Sequence, residues 1–409
     1  MEYFERIGDT LLSAITQGHL HVTYSDGQRR IYGDKKSKPI TLVLKNGHLF
    51  RRLALFGDIG FAQSYLEGDF EVDDMTALVR LALENSATLG VRSSDKKGGF
   101  RALIPHWNRL KHALRKNSKK KSRKNIAHHY DLSNEFFALM LDETMLYSSA
   151  LFARIDEPLH VAQERKIAHL ASKLRLPRGA KVLEIGSGWG AMAIHLAQTY
   201  DAKVTTLTLS QAQKSYCEAR FAALGLLDHI EVRLEDYRDT RGTYDAIVAV
   251  EMFEAVGHDY FATFFRQCQH LMAPHALLAL QVITIPDWRY DDYRTSTDFI
   301  QEYIFPGGHL PSLEAILHTT KRHTHLELLH MEDFTPHYAV TLHRWYKNFM
   351  HRIDDIRALG FDERFLRMWR LYLNYCEAAF ATRNIGLAQL VFTPANNMRL
   401  NQLSTKDFK

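Results

Sequence analysis

The chain has 409 residues, of which 46% are hydrophobic and 24% are charged, and its formal net charge is +5. This length is enough for two or three globular domains. The mild basic excess does not by itself separate nucleic acid from anionic lipid as a partner. The three cysteines, Cys217, Cys268 and Cys376, lie far apart and form no CxxC pair. That spacing argues against a disulfide framework or a structural zinc site and suits a reducing cytoplasm.

The sequence also argues against a membrane anchor, a secretion signal and a metal site. No apolar run approaches the roughly 20 residues of a membrane-spanning helix. The N-terminus reads MEYFER and has no basic flank, so we expect no signal peptide. The 22 histidines contain no HExxH or comparable ligand spacing, so we expect no bound metal.

Residues 1–108 predict a small α+β domain. They combine β-like runs such as ITLVL (Ile40–Leu44) with helical runs such as MTALVRLAL (Met75–Leu83). The aromatic and glycine-rich stretch Phe56–Phe70 within this domain predicts turns and packing rather than chemistry.

A dense basic run, RLKHALRKNSKKKSRK, occupies residues 109–124. Like charges this close together repel one another and do not pack, so the run predicts an exposed linker. It separates the first domain from a second predicted domain at residues 125–395, which a short tail at residues 396–409 follows.

Short apolar runs recur from Lys181 onward and alternate with helical patterns. This alternation predicts right-handed βαβ crossovers, a parallel sheet flanked by helices and an α/β fold class. Beyond Asp287 the chain is rich in aromatic residues and histidine and has long helical patterns, which we interpret as an insertion that covers the carboxyl edge of the sheet. The predicted strands are KVLEI (181–185), KVTTLTL (203–209), IEVRL (230–234), AIVAV (246–250) and ALLALQVI (276–283).

The most informative stretch is VLEIGSGWG, where an apolar strand ends in an acid and enters a glycine-rich turn that opens a helix. Gly186, Gly188 and Gly190 allow positive φ angles and a close approach of the backbone to a ligand. Doubly wound sheets bind nucleotides at this end of the first strand. The GxGxG spacing after Glu184 differs from the GxGxxG of dinucleotide sites, which favours S-adenosylmethionine over NAD.

Two further segments support a nucleotide-like ligand. Thr208, Leu209 and Ser210 follow the second strand and lead into a helix that carries Gln213, and no carboxylate stands there to hold the ribose hydroxyls. After the third strand come Glu235, Asp236 and Tyr237, an acid beside an aromatic ring that would bond the adenine amino group and stack its ring. An ordinary exposed turn is the alternative for this last segment.

The chain resembles the cyclopropane-fatty-acyl-phospholipid synthases and the related mycolic acid cyclopropane synthases from about Asn125 to Phe392. The resemblance implies a class I methyltransferase (Rossmann-like) fold, S-adenosylmethionine as donor, and an N-terminal domain that helps to engage lipid. The segments that carry it are HYDLSNEFFALMLDETMLYSSALF (129–152), VLEIGSGWG (182–190), TLTLSQAQ (206–213), EDYRD (235–239), VEMFEAVG (250–257), EYIFPGGHLPS (302–312) and HYAVTLHRWY (337–346).

Positions that match the family motifs imply the cofactor pocket and the catalytic site. Glu254 and Tyr338 match the carboxylate and the phenol that help to hold a bicarbonate ion in this family, and Ile283 matches a position that contributes a backbone carbonyl. With Glu184 from the glycine turn, the predicted cofactor-binding residues are Tyr130, Tyr147, Ser148, Glu184, Gly186, Gly188, Thr208, Leu209, Gln213, Asp236 and Tyr237.

Two predicted catalytic positions depart from the family pattern. The family has cysteine in a YSC motif where this chain has Ser149, and histidine in an HTI motif where it has Gln281. A serine N–H still donates a hydrogen bond, and glutamine offers an amide donor and an acceptor. Gln281 does not take up a proton as imidazole does. The resemblance therefore implies that bicarbonate is held differently here or is not used.

The implied reaction is methyl transfer to the cis double bond of an unsaturated phospholipid acyl chain, with closure of a cyclopropane. Because the altered positions lie where a base would act, a methylene or methyl-branched product on the same substrate stays open. More remote alternatives are a small-molecule C-methyltransferase, a nucleic-acid methyltransferase that uses the basic run, and a non-catalytic lipid-binding relative. The sequence has no RNA-binding signature, and it keeps the glycine turn together with Glu254 and Tyr338.

The expected partner is an unsaturated phospholipid in a membrane surface rather than nucleic acid. Clustered Lys and Arg side chains gain about 1 kcal/mol each near anionic headgroups, although a solvated linker is the alternative for residues 109–124. We therefore expect a cytoplasmic protein that associates peripherally with the inner membrane face. A homodimer is compatible with this interpretation, but the sequence does not fix the oligomeric state.

Overall fold

The computed structural model describes residues 3–89 and 133–401. The chain divides into two compact units that each combine separate stretches of sequence. The first unit contains Met1–Arg115, Trp288–Pro306 and Tyr338–Ile385, and the second contains Lys116–Asp287, Gly307–His337 and Gly386–Lys409. The basic run at 109–124 lies outside the described residues, so its role as a linker stays a prediction.

The N-terminal part of the first unit is a small α+β domain, as predicted. Its sheet has the order β2-β1-β3-β4, in which β1 pairs parallel with β3 and the other pairs are antiparallel. The predicted strand Ile40–Leu44 and the predicted helix from Met75 are both present. The elements are α1 (Tyr3–Leu12), β1 (His19–Thr23), β2 (Arg29–Gly33), β3 (Ile40–Leu44), α2 (His48–Leu66), β4 (Phe70–Val72) and α3 (Met75–Glu84).

The interpretation of Phe56–Phe70 as turn is wrong for most of its length. Helix α2 continues through it to Leu66 and is kinked at Gly57, where φ is 61° and ψ is −134°. Buried positions such as Gly60, Tyr65 and Leu66 recur at helical spacing after the kink. Gly57 itself leaves the helical conformation, so two helical segments meet at a kink there.

A doubly wound core follows from residue 134 to residue 284. Helices and strands alternate as the apolar runs predicted, and short 3₁₀ turns at Phe253–Ala255 and His258–Tyr260 follow β8. The elements are α4 (Asn134–Met140), α5 (Leu159–Ser172), β5 (Lys181–Ile185), α6 (Ala191–Tyr200), β6 (Lys203–Thr208), α7 (Gln211–Ala223), β7 (Ile230–Leu234), β8 (Tyr244–Val250), α8 (Phe261–Leu271) and β9 (Met272–Thr284).

The remaining described elements alternate between the two units. A π-helix at Ile300–Ile304 and a 3₁₀ turn at Met398–Asn401 accompany them. They are α9 (Asp287–Tyr293), α10 (Leu313–His323), β10 (Leu326–Asp333), α11 (Thr335–His351), α12 (Ile353–Ala358), α13 (Glu363–Ala381) and β11 (Gly386–Pro394).

The sheet of the second unit has the order β10-β11-β9-β8-β5-β6-β7. Strands β5 to β9 are parallel, which confirms the predicted parallel sheet, whereas β11 and β10 are antiparallel additions. These two strands come from the region beyond Asp287, where only helical patterns were predicted. Strand β11 is buried along seven consecutive residues, and such a continuous apolar run does not reveal its period.

The order of the sheet reverses between β5 and β8, because the chain first adds β6 and β7 on one side and then β8 and β9 on the other. Ligands bind at the carboxyl ends of the strands beside such a switch point. Helices α5, α6 and α7 cover one face of the sheet through a buried core that includes Leu170, Leu196 and Phe221. This packing fixes the loops that follow β5, β6, β7 and β8.

In the first unit, α13 packs against α2 and α3. The Arg367 guanidinium lies 4.3 Å from the centroid of the Tyr65 ring, and its Nε donates to the Tyr65 carbonyl at 2.7 Å. Thr76 Oγ1 donates to Asn374 Oδ1 at 2.7 Å. The helical segment that was assigned to the 125–395 domain therefore clusters with the N-terminal residues, because its apolar face is buried against their helices.

No helix among the described residues is both long enough and apolar enough to span a bilayer.

Candidate active site

The glycine turn after β5 is fixed by backbone geometry. The N–H groups of Gly186 and Ser187 both donate to the Leu207 carbonyl, at 3.0 and 2.8 Å. Gly186 has φ of 99°, a conformation that side chains with a Cβ rarely adopt. Gly190 caps α6 in the left-handed region, and a Cβ there would lie 2.6 Å from the Phe221 ring. The turn therefore holds the end of β5 open at the edge of the sheet.

A cavity lies at this edge, entirely within the second unit. Its walls come from the ends of β5, β6, β7 and β8 together with the segment before α5. Tyr130 lies outside the described residues. The other predicted cofactor residues all line the cavity, namely Tyr147, Ser148, Glu184, Gly186, Gly188, Thr208, Leu209, Gln213, Asp236 and Tyr237.

Side chains after β6 are held by a local network. Ser210 caps α7 by accepting a bond from the Gln213 N–H at 3.2 Å. Thr208 Oγ1 donates to Gln213 Oε1 at 2.8 Å and accepts from the Ser210 N–H at 3.1 Å. The Gln213 amide oxygen is engaged in this way, so its NH₂ group is the part available as a donor to a ligand.

The acid after β7 has a cationic partner beside it. Asp236 accepts from Arg238 Nε at 2.8 Å and from Arg238 Nη2 at 2.6 Å, a bidentate pair. The same guanidinium lies 5.6 Å from the Tyr237 ring centroid, and the Tyr237 ring packs edge-on against Phe264. Arg238 therefore orients the acid and the ring that were predicted to meet adenine.

A buried cation, Lys166 on α5, lines the same cavity and was not predicted. Its Nζ donates to Ser148 Oγ at 2.5 Å. Burial lowers the pKa of Lys166 to about 8, against the opposing attraction of Glu251, Asp142 and Glu184. No residue spacing marks a single lysine on an amphipathic helix as part of a site, so the sequence carried no signal for it.

Glu184 at the end of β5 is also buried. Its Oε2 accepts a hydrogen bond from Thr206 Oγ1 at 2.6 Å. Burial raises the pKa of Glu184 to about 8, while the bond from Thr206 and the charge of Lys166 lower it. Glu184 and Lys166 are therefore two buried groups in the cavity wall, and the charge of each affects the pKa of the other.

Four residues from three segments of the second unit meet next to this cavity, and we call Ser149, Glu251, Glu254 and Gln281 the carboxylate cluster. Glu251 Oε1 accepts from the Ser149 N–H at 2.9 Å and from Gln281 Nε2 at 2.8 Å. Gln281 Nε2 also lies 3.3 Å from the Ser149 carbonyl. Ser149 and Gln281 are buried, and Glu251 lines the cavity.

Glu254 is the second acid of the cluster. Its Oε1 accepts from the Ile283 N–H at 2.5 Å, and its backbone carbonyl accepts from the His309 N–H at 2.8 Å. Its Oε2 is buried and has no hydrogen-bond partner among the described residues. Burial and, after it, the charge of Glu251 raise the pKa of Glu254 to about 8. Ile283 thus meets Glu254 through its N–H group, and the contribution of its backbone carbonyl stays a prediction.

Comparison with known proteins identifies the family. The family model described as mycolic acid cyclopropane synthetase matches residues 117–390. The chain belongs to this family. Its sheet order and glycine-turn cavity are those of a class I methyltransferase, as predicted.

Named relatives of this family place the activity in lipid methylation. The tuberculostearic acid methyltransferase UfaA1 of Mycobacterium tuberculosis is 38% identical over 377 residues, covering 90% of this chain and 86% of the relative. The cyclopropane-fatty-acyl-phospholipid synthase of Escherichia coli is 34% identical over 363 residues, covering 87% and 88%. The crystal structure of mycolic acid cyclopropane synthase CmaA1 complexed with SAH and CTAB shares 30% identity at a TM-score of 0.62, covering 66% of this chain and 97% of that one.

This mycolic acid cyclopropane synthetase homologue is therefore an S-adenosylmethionine-dependent methyltransferase that acts on lipid. The residues around the cavity fit such a donor, because they combine a glycine turn, an oriented acid–aromatic pair and engaged polar side chains after β6. The individual cofactor contacts stay predictions.

Tyr338, predicted to be catalytic in this family, belongs to the first unit. Its ring is buried and stacks on Phe380 with centroids 4.3 Å apart. Its role at the cavity of the second unit therefore stays a prediction. Glu251 was missed, although VEMFE places a second acid three residues before Glu254, directly after a predicted strand.

Proposed function

We propose that the chain transfers the methyl group of S-adenosylmethionine to the cis double bond of an unsaturated phospholipid acyl chain. The observation that supports this most directly is the carboxylate cluster, which supplies an acid to the wall of the cofactor cavity. Glu251 lines that cavity, and Glu254 lies close enough that the charge of Glu251 raises its pKa. Family membership adds lipid as the substrate class.

An isolated alkene is a weak, neutral nucleophile. S-adenosylmethionine supplies an electrophilic methyl on a sulfonium, so positive charge develops on the acyl chain as the new bond forms. Negative groups that are fixed in advance in a site sheltered from water stabilise such a charge without reorganising. The chain provides this through Glu251, which two N–H donors hold in place.

The product follows from which proton the methylated chain then loses. Loss of a proton from the new methyl group closes a cyclopropane, the product that the sequence resemblance implied. The Escherichia coli relative, 34% identical, is named a cyclopropane-fatty-acyl-phospholipid synthase, which supports this outcome.

A second candidate product is a methylene or methyl-branched chain on the same substrate. Two observations favour it. Ser149 and Gln281 replace the family's cysteine and histidine beside the base site, and the 38% identical relative is named a tuberculostearic acid methyltransferase. A hydride shift before the proton is lost leads to the methylene chain, and the position of the base decides between the two products.

The test is to incubate the purified protein with S-adenosylmethionine and vesicles of anionic phospholipid that carry a cis-monounsaturated chain. Acyl products are analysed by mass spectrometry before and after mild hydrogenation. We expect a gain of one CH₂ unit. Resistance to hydrogenation identifies a cyclopropane, and a reducible gain identifies a methylene chain. Vesicles with saturated chains are the matched control. Cofactor binding without any gain in the mass of the acyl chain would contradict the assignment of phospholipid as the substrate.

We also propose that an anionic membrane surface is the partner. Residues 109–124 lie outside the described residues, so the proposal rests on their sequence. Replacing Lys119, Lys120 and Lys121 by glutamine should weaken binding to anionic vesicles by roughly a hundredfold, since each lysine contributes about 1 kcal/mol. Sedimentation with anionic and with neutral vesicles measures it. Unchanged binding to anionic vesicles would contradict the proposal.

A further inference from the structure

Glu251 occupies an unusual backbone position at the carboxyl end of β8. Its φ is 50°, in the left-handed region, and its N–H donates to the Gln281 carbonyl at 2.7 Å. A residue other than glycine adopts this conformation only where its surroundings hold it, and such positions cluster at functional sites. The conformation places Glu251 in the cavity wall between Val250 and Met252.

Two donors from distant parts of the chain converge on one oxygen of this side chain. The Ser149 N–H comes from the segment before α5, and Gln281 Nε2 comes from β9. Both residues are almost inaccessible to solvent. Bonds from N–H donors favour the charged form of a carboxylate, so the pair is built to hold a negative charge at this point.

A relay of hydrogen bonds that leads away from the cavity fixes the orientation of the Gln281 amide. Gln281 Oε1 accepts from Gln389 Nε2 at 2.9 Å, and Gln389 Oε1 accepts from Lys173 Nζ at 2.7 Å. Lys173 Nζ also donates to Glu332 Oε2 at 2.6 Å. Because the lysine only donates, each amide in the relay has one orientation, and Gln281 presents its NH₂ group to Glu251.

The same two residues, Ser149 and Gln281, are among the positions that the family resemblance assigns to a bicarbonate site. In this chain their donors already bind the Glu251 carboxylate. A second anion there would lie beside the Glu251 carboxylate, and like charges repel strongly where water is scarce. The described residues therefore do not fit bicarbonate, because a carboxylate of the chain itself stands against the donors that would hold it.

On the basis of the proposed function, we propose that Glu251 is a catalytic carboxylate that replaces a free anion. Its charge faces the positive charge that develops on the acyl chain, and it accepts the proton that the methylated chain loses. A C–H bond of the transferred methyl group breaks, and its electron pair forms the C–C bond that closes the ring onto the cationic carbon. If a hydride shift has first moved the charge to the carbon that bears the methyl, the same electron pair forms the second bond of a methylene double bond. The proton passes to a Glu251 oxygen and then to water. No bicarbonate enters this balance.

The experiment compares three proteins on anionic vesicles with a cis-monounsaturated chain, in buffer freed of bicarbonate and in buffer supplemented with it. Wild type should have the same rate in both buffers. Glu251→Gln keeps the shape and an acceptor for Ser149 and Gln281, and it should lose about 10²–10⁴-fold in kcat, the usual contribution of a positioned base. The matched control is Glu231→Gln on β7, an exposed carboxylate away from the cavity, which should leave kcat unchanged.

Glu251→Gly gives a second test, because glycine accepts the left-handed φ without strain and exposes the Ser149 and Gln281 donors. Bicarbonate or formate should restore part of its activity but should not restore the activity of Glu251→Gln. The ¹³C NMR signal of labelled bicarbonate should broaden in the presence of Glu251→Gly and not in the presence of wild type. This measurement reports binding at the site without turnover.

The outcomes separate the two proposals. A wild-type rate that depends on bicarbonate, labelled bicarbonate bound by the wild type, or an undiminished Glu251→Gln rate would overturn the role of Glu251 and leave phospholipid methylation standing. A wild type that binds cofactor and methylates no acyl chain would overturn the proposed function, and the role of Glu251 with it. Equal cofactor affinity and thermal stability of the variants exclude a folding defect.

Discussion

The cofactor cavity and the carboxylate cluster lie side by side but are built over different distances along the chain. Around the cavity, the contacts that set the geometry stay within a turn or between neighbouring βα units, such as the Ser210 cap of α7 three residues from Gln213 and the bond from Gly186 to Leu207. In the cluster, the bond from Ser149 to Glu251 joins residues 102 positions apart, and that from Gln389 to Gln281 joins residues 108 apart. Local turns hold the cofactor site, and tertiary packing holds the chemical site. Substitutions should therefore separate binding from turnover.

The largest effect is expected where the turn itself is broken. Gly186→Val forces a β-branched residue to φ of 99°, and its Cβ would lie 3.1 Å from Met252 Cγ. We expect cofactor binding by calorimetry and methyl transfer both to be abolished. Gly225→Val is the matched control, because Gly225 also has a positive φ, of 68°, but lies outside the cavity wall. Normal cofactor binding by Gly186→Val would show that the turn does not hold the cofactor.

A substitution in the carboxylate cluster should lower kcat and leave cofactor binding unchanged. Glu254→Ala removes the acceptor of the Ile283 N–H and should reduce kcat by about 10²–10³-fold, as loss of one preorganised electrostatic contact does. Because burial raises the pKa of Glu254 to about 8, the neutral Glu254→Gln should lose less at pH 7. Steady-state rates and cofactor affinity of both variants measure this. A matching loss of cofactor affinity would erase the distinction between the two regions.

The same residue gives a pH test of stability. The folded pKa of Glu254 lies above its ordinary value of 4.5. Its contribution to the unfolding free energy is therefore fully present below pH 4.5 and is lost as pH rises through about 8. Glu254→Gln has no proton to lose. The unfolding free energy of the variant minus that of wild type should therefore increase by about 1–3 kcal/mol as pH rises across this range. Urea titrations at several pH values check it, and a constant difference between the two proteins would contradict the raised pKa.

Lys166 links the two regions, so its loss should affect binding and stability together. Lys166→Met keeps the length of the side chain but removes the bond to Ser148 and the positive charge near Glu184 and Glu251. We expect the unfolding free energy to fall by about 1–3 kcal/mol and cofactor affinity to fall with it. Lys203→Met, at an exposed lysine on β6, is the control. The melting temperatures of both variants are measured with and without cofactor. Equal values for Lys166→Met and Lys203→Met would mean that Lys166 contributes only packing.

The smallest effect is expected furthest from the cavity. Gln389→Leu removes the bond that orients the Gln281 amide, worth about 0.5–1.5 kcal/mol, so kcat should fall roughly two- to tenfold. Cofactor affinity should stay the same, and rates at saturating cofactor measure the effect. A wild-type kcat would mean that Gln281 needs no relay to face Glu251.

The accuracy of the sequence predictions follows the same distinction between local and long-range contacts. The strand that precedes Gly186, the strands β6 to β9 and the N-terminal α+β domain follow from short patterns of apolar residues, which local propensity sets. Strand β11 was missed because its continuous apolar run has no period, and the kink at Gly57 was taken for a turn because glycine alone does not distinguish the two. Lys166 was missed because a single lysine on an amphipathic helix has no diagnostic spacing. Glu251 was missed because its donors, Ser149 and Gln281, lie 102 and 30 residues away along the chain.

By itself, the sequence determined the α/β class, the glycine turn and the family, and all of its predicted cofactor residues that the structure describes line the cavity. Most of those features are encoded within single βα units. Only the tertiary structure decided that Ser149 and Gln281 bind Glu251 and that Glu254 keeps a buried oxygen without a partner among the described residues. It also decided that residues 338–385 cluster with the N-terminal unit. The physical reason is that a hydrogen bond or a packed face between distant segments leaves no periodic mark on either of them.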